Sequence, residues 1–304
     1  MADTQEETRT RARTEKLAAL GYSPDARLLI INGDDLGMCH AGNAATFDAM
    51  EHGVMTAASL MLPCPWAFHA VHHLRDTPAL DVGVHLTLTA EWQSYRWGPL
   101  LGAARCPSLV DQDGFFYHDH VLVHERADMA EARAEVEAQM ERAYALGLDP
   151  TNVDGHMGTF SADRRFLDLE VEMARRYRLP LRVHPGRRPE RAGAEAPTPL
   201  DLSGLMTVED IRGIALRDPA ALQQQLLTNL RTLQPGVTEL VLHAALPTPE
   251  AQASMRDWEA RAEAYRLVRH DDEVRQLIHD LGIVRIGWRQ LREAQRARAE
   301  QPAG

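Results

Sequence analysis

Short apolar runs alternate with helical stretches from the beginning of the chain. The run ARLLIIN (26–32) stops at Gly33, and a continuous apolar run bounded by a turn residue is typical of a strand buried on both faces. AGNAATFDAMEHG (41–53) follows with helical spacing and a closing glycine. The apolar run MTAASLML (55–62) and the helical stretch PWAFHAVHHLRD (65–76) repeat the sequence of a strand and then a helix.

The same alternation continues to the end of the chain. DVGVHLTLT (81–89) alternates with a period of two, which predicts a strand with His85 and the threonines on one face. EARAEVEAQMERAYALG (131–147) has the spacing of a helix, with Glu135 and Gln139 expected on its outward side. Further strand candidates are TNVDGH (151–156), LPLRVH (179–184), TELVLH (238–243) and GIVRIGW (282–288). So many alternations predict an α/β fold of parallel strands with helices outside.

The 304 residues suit one large domain, since an α/β barrel needs about 250 residues. We predict a polar arm and short helix over 1–25, a single barrel domain over 26–292 and a frayed tail over 293–304. The polar segment GRRPERAGAEAPTP (186–199) is interpreted as a surface loop.

Charge and composition exclude several functions. A net charge of −11 argues against binding to nucleic acid or to an anionic membrane, and favours a neutral or cationic substrate. No segment approaches the ~20 apolar residues that span a bilayer, and the N-terminus has no signal-peptide pattern. Cys39, Cys64 and Cys106 form no CxxC pair, so neither a disulfide framework nor a thiolate zinc site is expected. We therefore expect a cytoplasmic protein.

Aspartate and histidine residues stand at the ends of four predicted strands. Asp34 and Asp35 follow the first strand, and the others carry His85, His156 and His243. In parallel α/β folds the active site gathers at the carboxyl ends of the strands. Four segments that are distant in sequence are therefore expected to place aspartate and histidine side chains together at the carboxyl ends of the strands.

A carboxylate with two imidazoles is the ligand set of a catalytic divalent ion, and one aspartate of the pair Asp34 and Asp35 can provide it together with His85 and His156. Two enclosed, unpaired carboxylates repel each other, and a cation would resolve that conflict while the other aspartate serves as a base. Each residue also has a simpler interpretation. The Asp pair can be a turn that caps the helix starting near Ala41, and the two histidines can be structural or loop residues.

Two other residues are candidates for catalysis. His243 at the rim can protonate a leaving amine, or it can simply face solvent. Arg182 in LPLRVH can orient the base or a substrate oxygen, or it can form a structural salt bridge.

Aromatic residues are concentrated after His85. Sugar rings stack on such side chains, so this segment can form the lip of a carbohydrate cleft, and the alternative is a small satellite core over the end of the barrel. The residues are Trp92, Tyr95, Trp97, Phe115, Phe116 and Tyr117.

These motifs occur in an order that resembles the YdjC-type carbohydrate deacetylases, over residues 28 to 290. The segments are GDDLG, EHGVMTAASLML, DVGVHLTLT, AQMERAYALGLDPTNVDGH, LPLRV and TELVLH. The resemblance implies a single-domain, distorted (β/α) barrel of TIM-like type that removes N-acetyl groups from amino sugars in chitin-type oligosaccharides. Members are often homodimers, so a homodimer is an expectation for this chain.

The resemblance also implies roles position by position. Asp35, His85 and His156 match the metal ligands, Asp34 the catalytic base and His243 the acid.

The chain departs from the family pattern near these residues. Gly33 and Leu36 flank the Asp pair in place of alanine and phenylalanine, Gly158 replaces a second histidine, and Ala244 and Ala245 replace Pro-Gly.

We therefore predict metal-assisted hydrolysis of the acetyl amide of a small carbohydrate. An Asp-His-His site favours zinc, with magnesium or manganese as alternatives. A hydrolase of another amide, ester or phosphoester on the same scaffold, or a non-catalytic sugar-binding protein, are the competing functions.

Overall fold

A computed structural model describes residues 2–183 and 200–300 of the protein, with side chains from residue 7 onward. In this part of the chain, all the strands belong to one parallel sheet. They are β1 (Arg27–Leu36), β2 (Ala57–Leu60), β3 (Val82–Leu86), β4 (Val153–Gly155), β5 (Asp210–Gly213), β6 (Gly236–Leu242) and β7 (Val284–Arg285).

The sheet has the order β4-β3-β2-β1-β6-β5, and β7 pairs with the beginning of β1. Leu181 adds a single parallel bridge to Val153 beyond β4. Among the described residues, β4 and β5 are thus the two ends of a curled sheet, which is an incomplete barrel. The prediction of a single-domain α/β fold of distorted barrel type is confirmed.

Helices lie between most successive strands. They are α1 (Ala2–Ala19), α2 (His40–His52), α3 (Ala67–Asp76), α4 (His120–Arg126), α5 (Met129–Ala145), α6 (Thr159–Ala162), α7 (Arg164–Arg176), α8 (Leu222–Arg231), α9 (Pro249–Ser254), α10 (Trp258–His270), α11 (Asp272–Asp280) and α12 (Trp288–Glu300). No helix in the described ranges combines the length and apolar character needed to cross a membrane.

The alternation of side chains along β1 separates two environments. Leu29 and Ile31 pack with apolar residues of the surrounding helices. Leu28 and Ile30 point the other way, into a cluster with Trp288 near the amino ends of the strands. The next position on that inner face is Asn32, which is buried and polar. Apolar side chains therefore close one end of the barrel, and buried polar groups collect towards the carboxyl ends.

The prediction that Glu135 and Gln139 lie on the outward side of α5 is wrong. Glu135 and Gln139 are fully buried. The Glu135 carboxylate accepts hydrogen bonds from the backbone N–H groups of Leu100 and Leu101 (3.0 and 3.1 Å), and Gln139 Oε1 accepts one from Thr87 (2.9 Å). The long loop after β3 covers this helix, and buried backbone donors in that loop need acceptors.

The chain ends also differ from the prediction. The tail predicted to fray over 293–304 is helical as far as Glu300, because α12 buries part of its polar face. Arg292 donates to the carbonyl of Pro150 (2.9 Å), and Gln295 accepts from the backbone of Met206 (2.5 Å). Near the N-terminus, α1 covers most of the segment 1–25, for which a polar arm followed by a short helix was predicted.

Three smaller elements complete the comparison. LPLRVH forms no strand over its described residues and contributes only the Leu181 bridge. No sequence pattern predicted β5, because DIRG contains only one large apolar residue. The predicted surface loop 186–199 lies outside the described residues. The domain boundaries at residues 25 and 292 stay a prediction.

Candidate active site

An irregularity at the end of β1 brings two adjacent carboxylates into one cavity. The pairing of β1 with β2 shifts register between Gly33 and Leu36, and Asp35 has a left-handed backbone with φ 67°. Neighbouring residues in a regular strand point to opposite faces, so this bulge is what lets Asp34 and Asp35 both line the cavity. The capping interpretation of the pair is wrong, since α2 begins after Cys39, which is its N-cap.

Asp35, His85 and His156 converge as the sequence predicted. Each offers one ligand atom, and these atoms lie within 4.8 Å of one another. Asp35 Oδ1 is 3.3 Å from His156 Nδ1 and 3.7 Å from His85 Nε2. This oxygen is buried and has no hydrogen bond within the described part of the chain. A buried, unbonded carboxylate oxygen facing two ring nitrogens suits a cation, so these three residues can hold one metal ion.

In both histidines, the ring nitrogen that faces away from Asp35 donates a hydrogen bond to a carboxylate. His85 and Asp154 are register partners in β3 and β4, and His85 Nδ1 donates to Asp154 Oδ1 (2.6 Å). His156 Nε2 donates to Glu91 Oε2 (2.9 Å). Metal-binding histidines almost always make such a bond with the nitrogen that does not face the metal.

Both carboxylate oxygens of Asp34 accept hydrogen bonds, in contrast to Oδ1 of Asp35. Arg182 donates to both of its oxygens (2.7 and 2.8 Å), and Asn32 donates to one of them (2.8 Å). The Arg182 guanidinium also pairs with Asp154 (2.8 Å) and Glu239 (2.9 Å). Burial opposes ionisation of Asp34, but Arg182 and His85 outweigh it and lower the pKa of Asp34 to about 2. Arg182 therefore faces carboxylates with all three nitrogens, and Asp34 is an ionised, fixed group.

Arg261 and His243 lie on the other side of Asp35. Arg261 donates to Asp35 Oδ2 (2.8 Å) and Asp257 (2.9 Å). His243 follows β6, and its Nε2 lies 3.9 Å from Asp35 Oδ2. Its side chain is 27% exposed, although Nδ1 is buried without a hydrogen bond in the described structure. Burial lowers the pKa of His243, so the neutral imidazole is favoured.

Negative charge predominates around the cavity. Among the described residues there, the carboxylates of Asp34, Asp35, Asp154 and Glu239 contact the guanidinium groups of Arg182 and Arg261, and Glu91 contacts His156. Glu170 and Arg212 also line the cavity. Burial opposes protonation of His156, yet Glu91 and Asp35 raise its pKa to about 10. Burial also raises the pKa of Glu239 to about 7, against the effect of Arg182. The site thus favours additional positive charge, which a divalent ion would supply.

The cavity has a volume of about 390 Å³ and a mixed lining. Polar and charged side chains line part of it, among them Asp34, Asp35, Glu170 and Arg212. Its apolar lining consists of Met157, Phe160, Val183, Ile211 and Val241. Such a cavity can take a small molecule that has both polar and apolar surfaces.

The aromatic segment does not line this cavity in the described structure. Trp97, Phe116 and Tyr117 are buried in the large apolar cluster, and Trp92 and Tyr95 pack against it. Trp92 also lies under the Arg261 guanidinium, 5.6 Å from ring centre to Cζ. These side chains therefore belong to the main apolar core and not to a separate satellite core, and Phe115 is 37% exposed.

The departures from the family pattern have local explanations. A Cβ at Gly33 would lie 2.8 Å from Met55 Sδ, so alanine fits only if Met55 moves. Gly158 has a left-handed backbone with φ 67°, which favours glycine. Ala244 and Ala245 are buried.

Sequence reasoning missed several partners of these residues. Asp154 was recognisable, because it lies two residues before His156 and so on the same face of a strand. Glu91 is in an irregular loop and gave no signal. Arg261 has the ordinary i, i+4 spacing from Asp257 that is typical of a surface pair on a helix.

The chain matches known proteins over most of its length. The model of the family described as YdjC-like protein matches residues 28–280. A carbohydrate deacetylase of Thermus thermophilus is 32% identical over 272 residues, which cover 88% of this chain and 95% of the relative. A carbohydrate deacetylase of Thermoanaerobacter pseudethanolicus is 29% identical, covering 85% and 96%.

One solved structure is also similar. It is a protein of Enterococcus faecalis V583 that is described provisionally as a cellobiose-phosphate cleavage protein. It superposes with a TM-score of 0.75 at 26% identity, and the match covers 88% of this chain and 99% of that protein.

Proposed function

The chain belongs to the YdjC-like protein family, and we propose on this basis that it is a metal-dependent deacetylase that removes N-acetyl groups from amino sugars or chitin-type oligosaccharides. The observation that carries the metal part of the proposal is the convergence of Asp35, His85 and His156 beside an unbonded carboxylate oxygen. The names of the curated relatives support a carbohydrate as the acetylated substrate.

Zinc is the ion that we propose. One carboxylate and two imidazoles suit zinc, whereas magnesium prefers oxygen ligands and several waters. When bound, such an ion would polarise the acetyl carbonyl and acidify a water molecule. The excess of carboxylates over guanidinium groups supports a divalent cation here.

Asp34 is proposed to accept the proton of the attacking water. Its oxygen Oδ2 lies 3.7 Å from His85 Nε2, next to the three proposed ligands, and Arg182 fixes its orientation. A pKa of about 2 keeps Asp34 ionised at neutral pH. A carboxylate with so low a pKa takes a proton only from a strongly acidified water, so this base and the ion are needed together.

His243 is proposed to give a proton to the amine as the C–N bond breaks. Its partial exposure leaves it accessible to substrate and solvent. Because its pKa is lowered, the resting ring is neutral, so it takes up a proton from the solvent to which it is exposed and releases that proton readily to the leaving nitrogen. The products are acetate and an amino sugar, whose positive charge suits the negative surroundings.

Acetate release from N-acetylglucosamine and from its β-1,4-linked dimer and trimer tests the proposal. We expect activity that a chelator removes and that zinc restores, and none in His85→Ala. Activity that survives chelation, or that persists in His85→Ala, would contradict the metal mechanism.

The same assay separates the alternatives. Hydrolysis of an aryl acetate or a phosphorylated disaccharide, but of no N-acetyl sugar, would indicate another hydrolase. Metal and sugar binding without hydrolysis of any substrate would indicate a binding protein.

A further inference from the structure

The two histidines of the proposed metal site face it with different ring nitrogens. His85 presents Nε2, because its Nδ1 donates to Asp154. His156 presents Nδ1, which is 3.3 Å from Asp35 Oδ1, because its Nε2 donates to Glu91 at 2.9 Å. The difference lies in the position of the carboxylate behind each ring.

We propose that Glu91 is a positioning residue that makes His156 bind the ion through Nδ1, an inference that rests on the proposed function. A histidine binds a metal ion as the neutral imidazole, which has one donor and one acceptor nitrogen, and an ionised carboxylate can only accept. The bond to Glu91 therefore keeps the proton on Nε2. The lone pair of Nδ1 is then directed at the site.

Among the described residues, Glu91 is the hydrogen-bond partner that fixes the orientation of this ring. The neighbouring rings of His85 and Trp97 lie 5.3 and 6.3 Å away between centroids and make only ring contacts with it. A half-turn about the Cβ–Cγ bond would exchange Nδ1 with Cδ2 and Nε2 with Cε1. Carbon atoms would then face both Asp35 and Glu91, so loss of the Glu91 bond removes the main preference for the productive orientation.

The backbone that carries Glu91 is itself well anchored. Ala90 donates to the carbonyl of Tyr117 (2.9 Å), and the Trp97 indole donates to the carbonyl of Thr89 (2.8 Å). Trp92 lies against Arg261, which in turn donates to the other oxygen of Asp35. The Glu91 carboxylate is therefore held in place by the segment on both sides of it, as a positioning role requires.

Zinc affinity of Glu91 variants provides the first test. Glu91→Gln keeps the shape and loses the charge, while Glu91→Ala loses both. Competition with a chelator of known affinity should show binding about 10-fold weaker for Glu91→Gln and towards 100-fold weaker for Glu91→Ala. Thermal unfolding of the metal-free variants checks that they fold.

A matched control exists elsewhere on the surface. Glu51 makes the same kind of contact with His73, at 2.8 Å, away from the cavity residues. Glu51→Gln should leave zinc affinity within twofold of the parent protein. An equal loss in Glu51→Gln and Glu91→Gln would overturn the specific role of Glu91.

The ligating nitrogens can be observed directly. In protein with isotopically labelled histidine and bound cadmium, NMR couplings to the metal should identify Nε2 of His85 and Nδ1 of His156. Coupling to Nε2 of His156, or unchanged affinity in Glu91→Ala, would overturn this inference while the parent protein still bound metal and released acetate. A parent protein that bound no metal would overturn the proposed function as well.

Discussion

Replacing Arg182 with methionine would remove the cation that three buried carboxylates share. Arg182 contacts Asp34 at 2.7 Å, Asp154 at 2.8 Å and Glu239 at 2.9 Å, and all four residues are largely enclosed. Methionine keeps an unbranched apolar stem of similar volume, so the loss of charge is the dominant change.

The magnitude follows from the pKa of Asp34. A shift from the ordinary 3.8 to about 2 corresponds to about 2 kcal/mol of stability. Because this pKa is lowered in the folded protein, the stabilisation is present above pH 3.8 and is lost as the pH falls through 2. Without Arg182, burial dominates, and the pKa values of Asp34 and Glu239 rise. We expect Arg182→Met to lose about 3–5 kcal/mol near neutral pH, as when one partner of a buried pair is removed.

The sign of the pH effect in the variant makes the prediction specific. Carboxylates left without a cation take up protons on mild acidification, so the difference in stability from the parent should shrink between about pH 7.5 and pH 5. Urea unfolding in the presence of a chelator measures this difference. Arg176→Met is the control, because Arg176 pairs with Glu137 at the surface and should cost less than about 1 kcal/mol. A loss of under 1 kcal/mol for Arg182→Met, or one that is equal at both pH values, would refute the reasoning.

Three other outcomes are expected. His243→Asn should lower kcat for acetate release by about 10²–10⁴-fold with zinc affinity nearly unchanged, and a large loss of zinc affinity would instead make it a ligand. Zinc at about 100 times its Kd should raise the unfolding free energy of the parent protein by about 2.7 kcal/mol, and no rise would argue against specific binding. Gly83→Ala should cost about 1–3 kcal/mol in urea unfolding, since its Cβ would lie 2.0 Å from Asn152 Oδ1. Gly213→Ala, with no atom within 4 Å of the added Cβ, should cost much less, and equal costs would contradict the steric argument.

The fold was predictable where the apolar period was strong. Continuous apolar runs such as ARLLIIN and TELVL are typical of strands in a sheet that is covered on both faces. These two runs lie in β1 and β6, which pair with each other in the sheet. Features that depend on tertiary contacts gave no such signal. The four residues of β5 include two charged residues and a single large apolar one, and the polar face of α5 is buried because it accepts hydrogen bonds from the loop at Leu100.

The same distinction applies to the site. Residues at strand ends were predictable as a group, because the carboxyl ends of parallel strands meet at one rim. Asp35, His85 and His156 are such residues, and the structure brings them together. Glu91 and Arg261 come from a loop and a helix, where position along the chain does not determine which side chain reaches the cavity.

Residue types alone could not determine which member of the Asp pair faces the metal, and only the family resemblance assigned Asp35. Hydrogen bonding supports that assignment, because Arg182 and Asn32 occupy both oxygens of Asp34, whereas Arg261 occupies one oxygen of Asp35 and leaves Oδ1 unbonded. A carboxylate binds a metal with the lone pairs that remain free, so we propose Asp35 as the ligand and Asp34 as the base. Asp35→Asn should then lose zinc affinity, while Asp34→Asn should keep the zinc and lose turnover, as measured by chelator competition and acetate release. The reverse pattern would mean that Asp34 binds the ion and that Asp35 is the base.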